Sequence, residues 1–249
     1  MLSIAEWHTR YTEQARWTKD VRRTVFDRIC LKDCSHILEV GSGTGAVLAD
    51  VSHYSSSPIY GVDIQLSFLK FSKEISPGSP LACSDGMRLP FPAGSFDMVY
   101  CHFFLLWANN QQEVLQEICR VTRSGGWILA LAEPDYGGRI DYPESLSLLG
   151  KLQADSLNKQ GADPCMGRKL AHKFSAAGLK DVHTGVLGGE WDFPQNPMDN
   201  GTEWPILEND LSGTLTEMEM FELRRLDASS RHNGSRILFV PTFYAWAKR

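Results

Sequence analysis

Ile37-Leu38-Glu39-Val40-Gly41-Ser42-Gly43-Thr44-Gly45 is an apolar run that ends in a glycine turn and feeds a helix-forming segment. Three glycines there permit a sharp turn and let a ligand come close to the main chain, which side chains would block. Strand, glycine turn and helix in that order predict an α/β domain with a nucleoside-type cofactor at the carboxyl end of the strand. The glycines do not choose the cofactor. Gly41, Gly43 and Ala46 also satisfy G-x-G-x-x-G/A, so a nicotinamide enzyme stands open here, beside a tight turn with no ligand.

After a helix predicted over 46–54 and the loop Ser55-Ser56-Ser57-Pro58 comes Ile59-Tyr60-Gly61-Val62-Asp63, a second short apolar strand ending in a carboxylate. An acid at that place accepts the hydroxyl protons of an adenosine ribose, in dinucleotide and sulfonium-nucleoside sites alike. Asp63 therefore points to a ribose without naming its owner.

The next block is more specific. Cys83-Ser84-Asp85-Gly86-Met87-Arg88-Leu89-Pro90-Phe91-Pro92, followed by Ser95-Phe96-Asp97-Met98-Val99-Tyr100-Cys101-His102, closely resembles the class I S-adenosylmethionine-dependent methyltransferases, in particular the type 11 or ubiquinone/menaquinone-biosynthesis-like group. The resemblance covers residues 37–134, with EVLQEICRVTRSGG at 113–126 matching the family's helix and turn before a fifth strand over 127–133. It implies S-adenosyl-L-methionine as cofactor and S-adenosyl-L-homocysteine as its product. It also implies a doubly wound, seven-stranded, mostly parallel sheet in the order 3-2-1-4-5-7-6, with strand 7 antiparallel.

Residue by residue, the resemblance places the adenine amino group on Asp85 and the methionine moiety beside Tyr100 to Phe103. The candidate cofactor contacts are then Glu39, Gly41, Gly43 and Gly45 around the first turn and Asp63 with Ile64 after the second strand. Asp85, Gly86 and Met87 follow the third strand, and Cys101 and His102 the fourth. The helix before the first strand lies over the cofactor in related enzymes, which adds Tyr11 and Trp17. Their spacing fits a plain sheet-capping role equally well.

His102, just past the fourth strand, is the leading candidate base, since an unperturbed imidazole titrates near pH 6.5. Packing against the methionine end of the cofactor is the competing role. Glu133, Asp135 and Tyr136, at the end of the fifth strand, are second candidates, with strand-end capping as their alternative. Whether a base is needed depends on the acceptor: a phenol must lose a proton, an amine can arrive neutral. The family's Asn-Pro-Pro-Tyr signature, associated with amino methylation, is absent, and Tyr100-Cys101-His102-Phe103 stands in its place. That departure argues against a nucleic-acid or glutamine acceptor.

The 249 residues, 43% hydrophobic, suit one domain over 1–249 with a helical cover at 1–30. A helix over 144–161, another over 167–177 and a sixth strand over 182–187 precede a seventh over 236–247. Between the last two strands, 188–235 is longer than a hairpin needs and carries Trp191, Phe193, Trp204, Pro205 and a helical run over 216–231. It reads as an acceptor lid, with stabilisation of the insertion as the other role for its tryptophans.

The net charge is -5, with 25 basic against 30 acidic residues. Arg22-Arg23, Arg168-Lys169 and Arg224-Arg225 read as solvated helix faces, and no cationic surface for nucleic acid is expected. Six cysteines without paired C-x-x-C spacing predict buried reduced thiols, no metal and a cytoplasmic setting. The apolar stretch 237–247 is too short for a membrane span. The expected partner is a small-molecule acceptor. A protein or RNA methyltransferase, and a cofactor-binding protein without catalysis, are the alternatives.

Overall fold

The computed structural model describes residues 2–189 and 203–249. All four residues of β1 (Ile37–Val40) are buried, as expected of a parallel strand covered on both faces. Leu38 and Val40 meet Val99, Cys101 and the apolar stripe of α5 (Gln111–Val121), namely Val114, Leu115, Ile118 and Val121. Ile37 faces the opposite layer, with Val25, Phe26 and Ile29 of α2 (Lys19–Ile29) and Val47, Leu48 and Val51 of α3 (Ala46–Ser52).

β1 is central, parallel to β2 (Ile59–Asp63) on one side and to β4 (Phe96–Cys101) on the other. Beyond β2 lies β3 (Leu81–Cys83), reached through α4 (Leu66–Ile75), and beyond β4 lies β5 (Thr122–Pro134). The sheet is completed by β9 (Thr242–Lys248), antiparallel to β5, and by β7 (Lys180–Val186), antiparallel to β9 and preceded by α7 (Leu170–Ala176). This is the expected order, with β9 in the place of the seventh strand and β7 in that of the sixth.

Two expectations change. The predicted seventh strand over 236–247 is divided at Pro241, which lacks the N–H a ladder needs. Its first part, β8 (Ile237–Phe239), pairs with β6 (Ile140–Tyr142) in a separate two-stranded sheet. The N-terminal cover is two helices: α1 (Ile4–Trp17), opened by a capping box of Ser3 and Glu6, and α2. They break at Thr18, whose hydroxyl turns back onto the carbonyls of Gln14 and Ala15.

The segment ahead of β8 adds α8 (Glu203–Asp210) and α9 (Glu217–His232), packed on α6 (Ser147–Lys159) through Leu149, Trp204, Leu207 and Leu211. A buried chain of charges ties this layer to the small sheet. Arg139 pairs with Asp141 at 2.7 Å, Arg236 bridges Asp141 at 2.8 Å and Asp227 at 2.6 Å, and Arg231 reaches Asp227 at 2.9 Å. The Trp204 indole donates to Asp227 at 3.0 Å, which makes this tryptophan part of the packing. Trp191 and Phe193 lie outside the described residues. No described helix is long and apolar enough to cross a membrane.

Two readings of single residues are corrected. Arg22 is fully buried, not solvated, and pairs with Asp50. Cys30 and Cys83 are exposed, whereas Cys34 and Cys101 are buried as expected.

Candidate functional site

The ends of β1, β2 and β4 open on a cavity of about 460 Å³, roofed by Trp7, Arg10, Tyr11 and Gln14 of α1. At its floor the chain turns through Gly41, Gly43 and Gly45, all with positive φ (76°, 50° and 82°), where any other residue is strained. The Gly43 amide donates to Oδ2 of Asp63 at 2.8 Å, and the Gln65 amide to Oδ1 at the same distance. Burial raises the Asp63 carboxyl, against these backbone donors. The Asp85 Oδ1 accepts from the Met87 amide at 2.9 Å, which fixes the loop after β3.

Ten of the expected residues share this cavity: Tyr11, Glu39, Gly41, Gly43, Asp63 and Ile64, and then Asp85, Gly86, Met87 and His102. Three do not line it. Trp17, at the last turn of α1, is 57% exposed under the Arg10 guanidinium, 4.8 Å from its ring centroid. A side chain on Gly45 would collide with the Ser72 hydroxyl, so this glycine serves the close packing of α3 on α4. Cys101 points into the apolar layer beneath α5, where burial pushes its thiol up.

Glu39 accepts a hydrogen bond from the Tyr100 hydroxyl at 3.1 Å, and burial lifts its carboxyl to about 8. A buried neutral acid in the cavity wall is stabilised in its charged form by any cation that docks against it. His102 Nε2 lies 2.9 Å from the Thr18 hydroxyl, and burial together with the Arg22 guanidinium holds its imidazole well below the usual range. A neutral imidazole can accept a hydrogen bond, but carrying a full proton beside Arg22 is disfavoured.

The second base candidates separate. Glu133 spends its carboxylate on the amides of Phe104 (3.1 Å), Leu105 (2.8 Å) and Leu106 (3.1 Å), which holds the loop after β4. Asp135 is taken by the Arg168 fork. Neither lines the cavity; Tyr136 does.

Several wall residues carry no sequence signal. Phe104 lays its ring between two glycines: a side chain on Gly41 would overlap it, and a Cβ on Gly86 would stand 2.8 Å from its Cζ. Residues 41, 86 and 104 are far apart in the chain, so no local pattern announces their meeting. Asp210 and Ile206 come from α8, and Leu157 and Gln160 from α6 or its end. Among the described residues no group of three His, Cys, Asp or Glu is placed to hold a metal ion.

The cavity fits an adenosyl group joined to an amino acid. A glycine turn admits close approach, two carboxylates stand at the ends of β2 and β3, and an acid sits at the end of β1. The comparisons agree. A family model described as methyltransferase domain matches residues 38–130. Demethylmenaquinone methyltransferase of Geobacillus stearothermophilus is 31% identical over 193 residues, 69% of this chain and 80% of the relative. The corresponding protein of Streptomyces griseus subsp. griseus is 32% identical over 108 residues, 43% of this chain and 46% of its own length, so that match spans about half of that relative. Among solved structures, phospholethanolamine N-methyltransferase 2 of Haemonchus contortus, in complex with phosphomonomethylethanolamine and S-adenosylhomocysteine, superposes with a TM-score of 0.59. It is 14% identical and covers 88% of this chain and 49% of the other.

Proposed function

Because this chain belongs to the S-adenosylmethionine-dependent methyltransferases, we propose that it transfers a methyl group to a small, largely apolar acceptor bearing a neutral hydroxyl group. The cofactor supplies an electrophilic methyl on a sulfonium and a neutral thioether leaving group. The chain's own work is to align the acceptor and keep water out. In this reading Asp63 and Asp85 hold the ribose and the adenine, and Glu39 faces the positive methionine end.

One observation carries the acceptor reading. Beyond the cofactor residues the cavity continues between α1, α6 and α8, where Trp7, Trp107, Leu157 and Ile206 supply apolar wall. Three polar groups of that wall keep hydrogen-bonding capacity for a ligand. Among the described residues Arg10 stacks on Trp17 but has no salt-bridge partner, and the Tyr136 hydroxyl has no hydrogen bond. Asp210 accepts from Gln153 at 3.1 Å and is also hydrogen-bonded by Gln160 and Asn209, but it has no salt-bridge partner among the described residues. A few converging polar groups in an apolar pocket are the usual form of a small-molecule site. A hydroxyl accepts from Arg10 or Tyr136 and keeps its one proton for an acceptor beside the transferred methyl, to be lost to water as the new O–C bond forms. A carboxylate or phosphate would face the buried Asp210, and an ammonium would face Arg10.

The test is calorimetry with S-adenosylhomocysteine, then a mass-spectrometric screen of hydroxylated, carboxylated and amino aromatic compounds for the gain of one CH2. Turnover confined to the hydroxylated set is the expected result. Absence of homocysteine-product binding defeats the cofactor reading, and transfer confined to protein or RNA defeats the acceptor reading.

A further inference from the structure

Thr18, at the break between α1 and α2, reaches an imidazole of the cavity wall, and its single hydroxyl proton has three possible acceptors beside one donor. Its Oγ1 lies 2.9 Å from His102 Nε2, 3.0 Å from the Gln14 carbonyl and 3.3 Å from that of Ala15, and it also receives Nη1 of Arg22. A hydroxyl carries one proton and two lone pairs, a carbonyl only accepts, and a guanidinium only donates. Arg22 therefore donates to Thr18. If the hydroxyl proton went to His102, the contacts to both carbonyls would be left without a hydrogen. If it goes to the helix carbonyls, Nε2–H donates to the second lone pair and every contact is used.

The arrangement around Thr18 is fixed on the other side as well. Arg22 is fully buried, and its Nε and Nη2 are taken by Asp50 of α3 at 3.2 and 2.5 Å. The guanidinium thus cannot turn away, and Thr18 keeps two donors pointed at its oxygen. His102 Nδ1 has no partner among the described residues, on a side chain that lines the cavity.

We propose that Thr18, held by Arg22 and Asp50, is a positioning residue that fixes His102 as its Nε2–H tautomer and so makes Nδ1 the atom offered to the methyl acceptor. This rests on the methyl-transfer reading above. His102 then serves as a hydrogen-bond acceptor that orients the incoming hydroxyl, and the histidine takes no part of the cofactor's charge. The tautomer is set by the helix break, not by the strand that carries the histidine, which couples the position of the N-terminal cover to the lone pair in the site.

The experiment is long-range proton–nitrogen correlation NMR on protein labelled at histidine nitrogen, with His102→Gln used to assign the signal. In the wild type, Nε2 is expected to be protonated and Nδ1 bare. Thr18→Ser is expected to keep that pattern, and Thr18→Val to lose it in favour of a mixture of both tautomers. Thr18→Ala, which leaves room for water, is the second variant if Thr18→Val folds poorly. A protonated Nδ1 in the wild type overturns the proposal, and so does an unchanged single tautomer in a folded Thr18 variant lacking the hydroxyl. S-adenosylhomocysteine titration of the same samples separates the two claims: binding with the wrong tautomer defeats the positioning role alone, and absence of binding by the wild type defeats the methyl-transfer reading.

Discussion

The Gly43 amide donates a 2.8 Å hydrogen bond to the Asp63 carboxylate, so the glycine turn after β1 and the acid at the end of β2 form one rigid unit. Asp63 has a second oxygen held by the Gln65 amide, and its charge stands in a partly buried wall. Hydrogen bonds to a charged group contribute about 1.5–3 kcal/mol each. Asp63→Ala is therefore expected to weaken S-adenosylhomocysteine binding by about 10- to 100-fold, read by calorimetry. Unchanged affinity in a well-folded Asp63→Ala protein would remove this residue from the site.

Glu39 makes a pH-dependent prediction. Its carboxyl is raised to about 8 by burial, whereas an unfolded glutamate titrates near 4.3. Between those values the folded chain holds a proton that the unfolded chain has lost, so stability is full below about 4.3 and falls as pH rises toward 8. Glu133, raised to about 7 by burial, adds to the same slope over the lower part of the window. Glu39→Gln is expected to flatten the dependence above pH 7 and leave the part due to Glu133, as measured by denaturant unfolding across pH.

The same group links pH to cofactor binding. A docked cation favours the ionised carboxylate, so a proton leaves the protein on binding near pH 7. Calorimetry in buffers of different ionisation enthalpy is expected to report net proton release by the wild type and a smaller value for Glu39→Gln. Equal proton counts would mean that Glu39 does not face the positive end of the ligand.

The parts of this molecule that sequence makes legible are those built from neighbours in the chain. The strand, turn and acid of β1 and β2 and the Asp85 loop are local signals, and their residues converge in the cavity as expected. Arg22 was not legible, because an arginine beside Arg23 on a helix looks solvated until Asp50, 28 residues on, neutralises it in the interior. Trp17 is ambiguous in the sequence, a roof over the site or a cap on the sheet, and in the structure α1 ends at that turn and leaves the ring to Arg10 and solvent. Glu133 resembled a base by position, yet three backbone amides of the loop after β4 had first claim on it. For Arg22 and Glu133 the deciding partners are tertiary, and no spacing rule encodes them.

Asp227 ties α8 and α9 to the start of β8. It accepts from Arg231, Arg236 and the Trp204 indole, and these hydrogen bonds, with the Arg231 charge, hold its carboxyl below the usual range against the cost of burial. Removing one partner of a buried ion pair costs about 3–5 kcal/mol because the other charges stay unpaired. Asp227→Asn is expected to lose stability on that scale, with Arg236→Met in the same background losing less than the two single costs added. Thermal and urea unfolding of the three proteins checks both the size and the coupling.

Phe104 and Gly86 give the sharpest steric test. Gly86 has no positive φ, so an alanine there costs little strain of its own, but its Cβ would stand 2.8 Å from Cζ of Phe104. Crowding of this kind costs about 1–3 kcal/mol. Gly86→Ala is expected to lower stability and S-adenosylhomocysteine affinity together, and Phe104→Ala in the same chain to restore part of both, with a coupling of about 0.5–3 kcal/mol. Gly41→Ala should be rescued less by the same substitution, because its backbone at φ 76° remains strained after the ring is gone. Strictly additive costs for the Gly86 and Phe104 changes would show that the ring yields freely and does not shape the crevice.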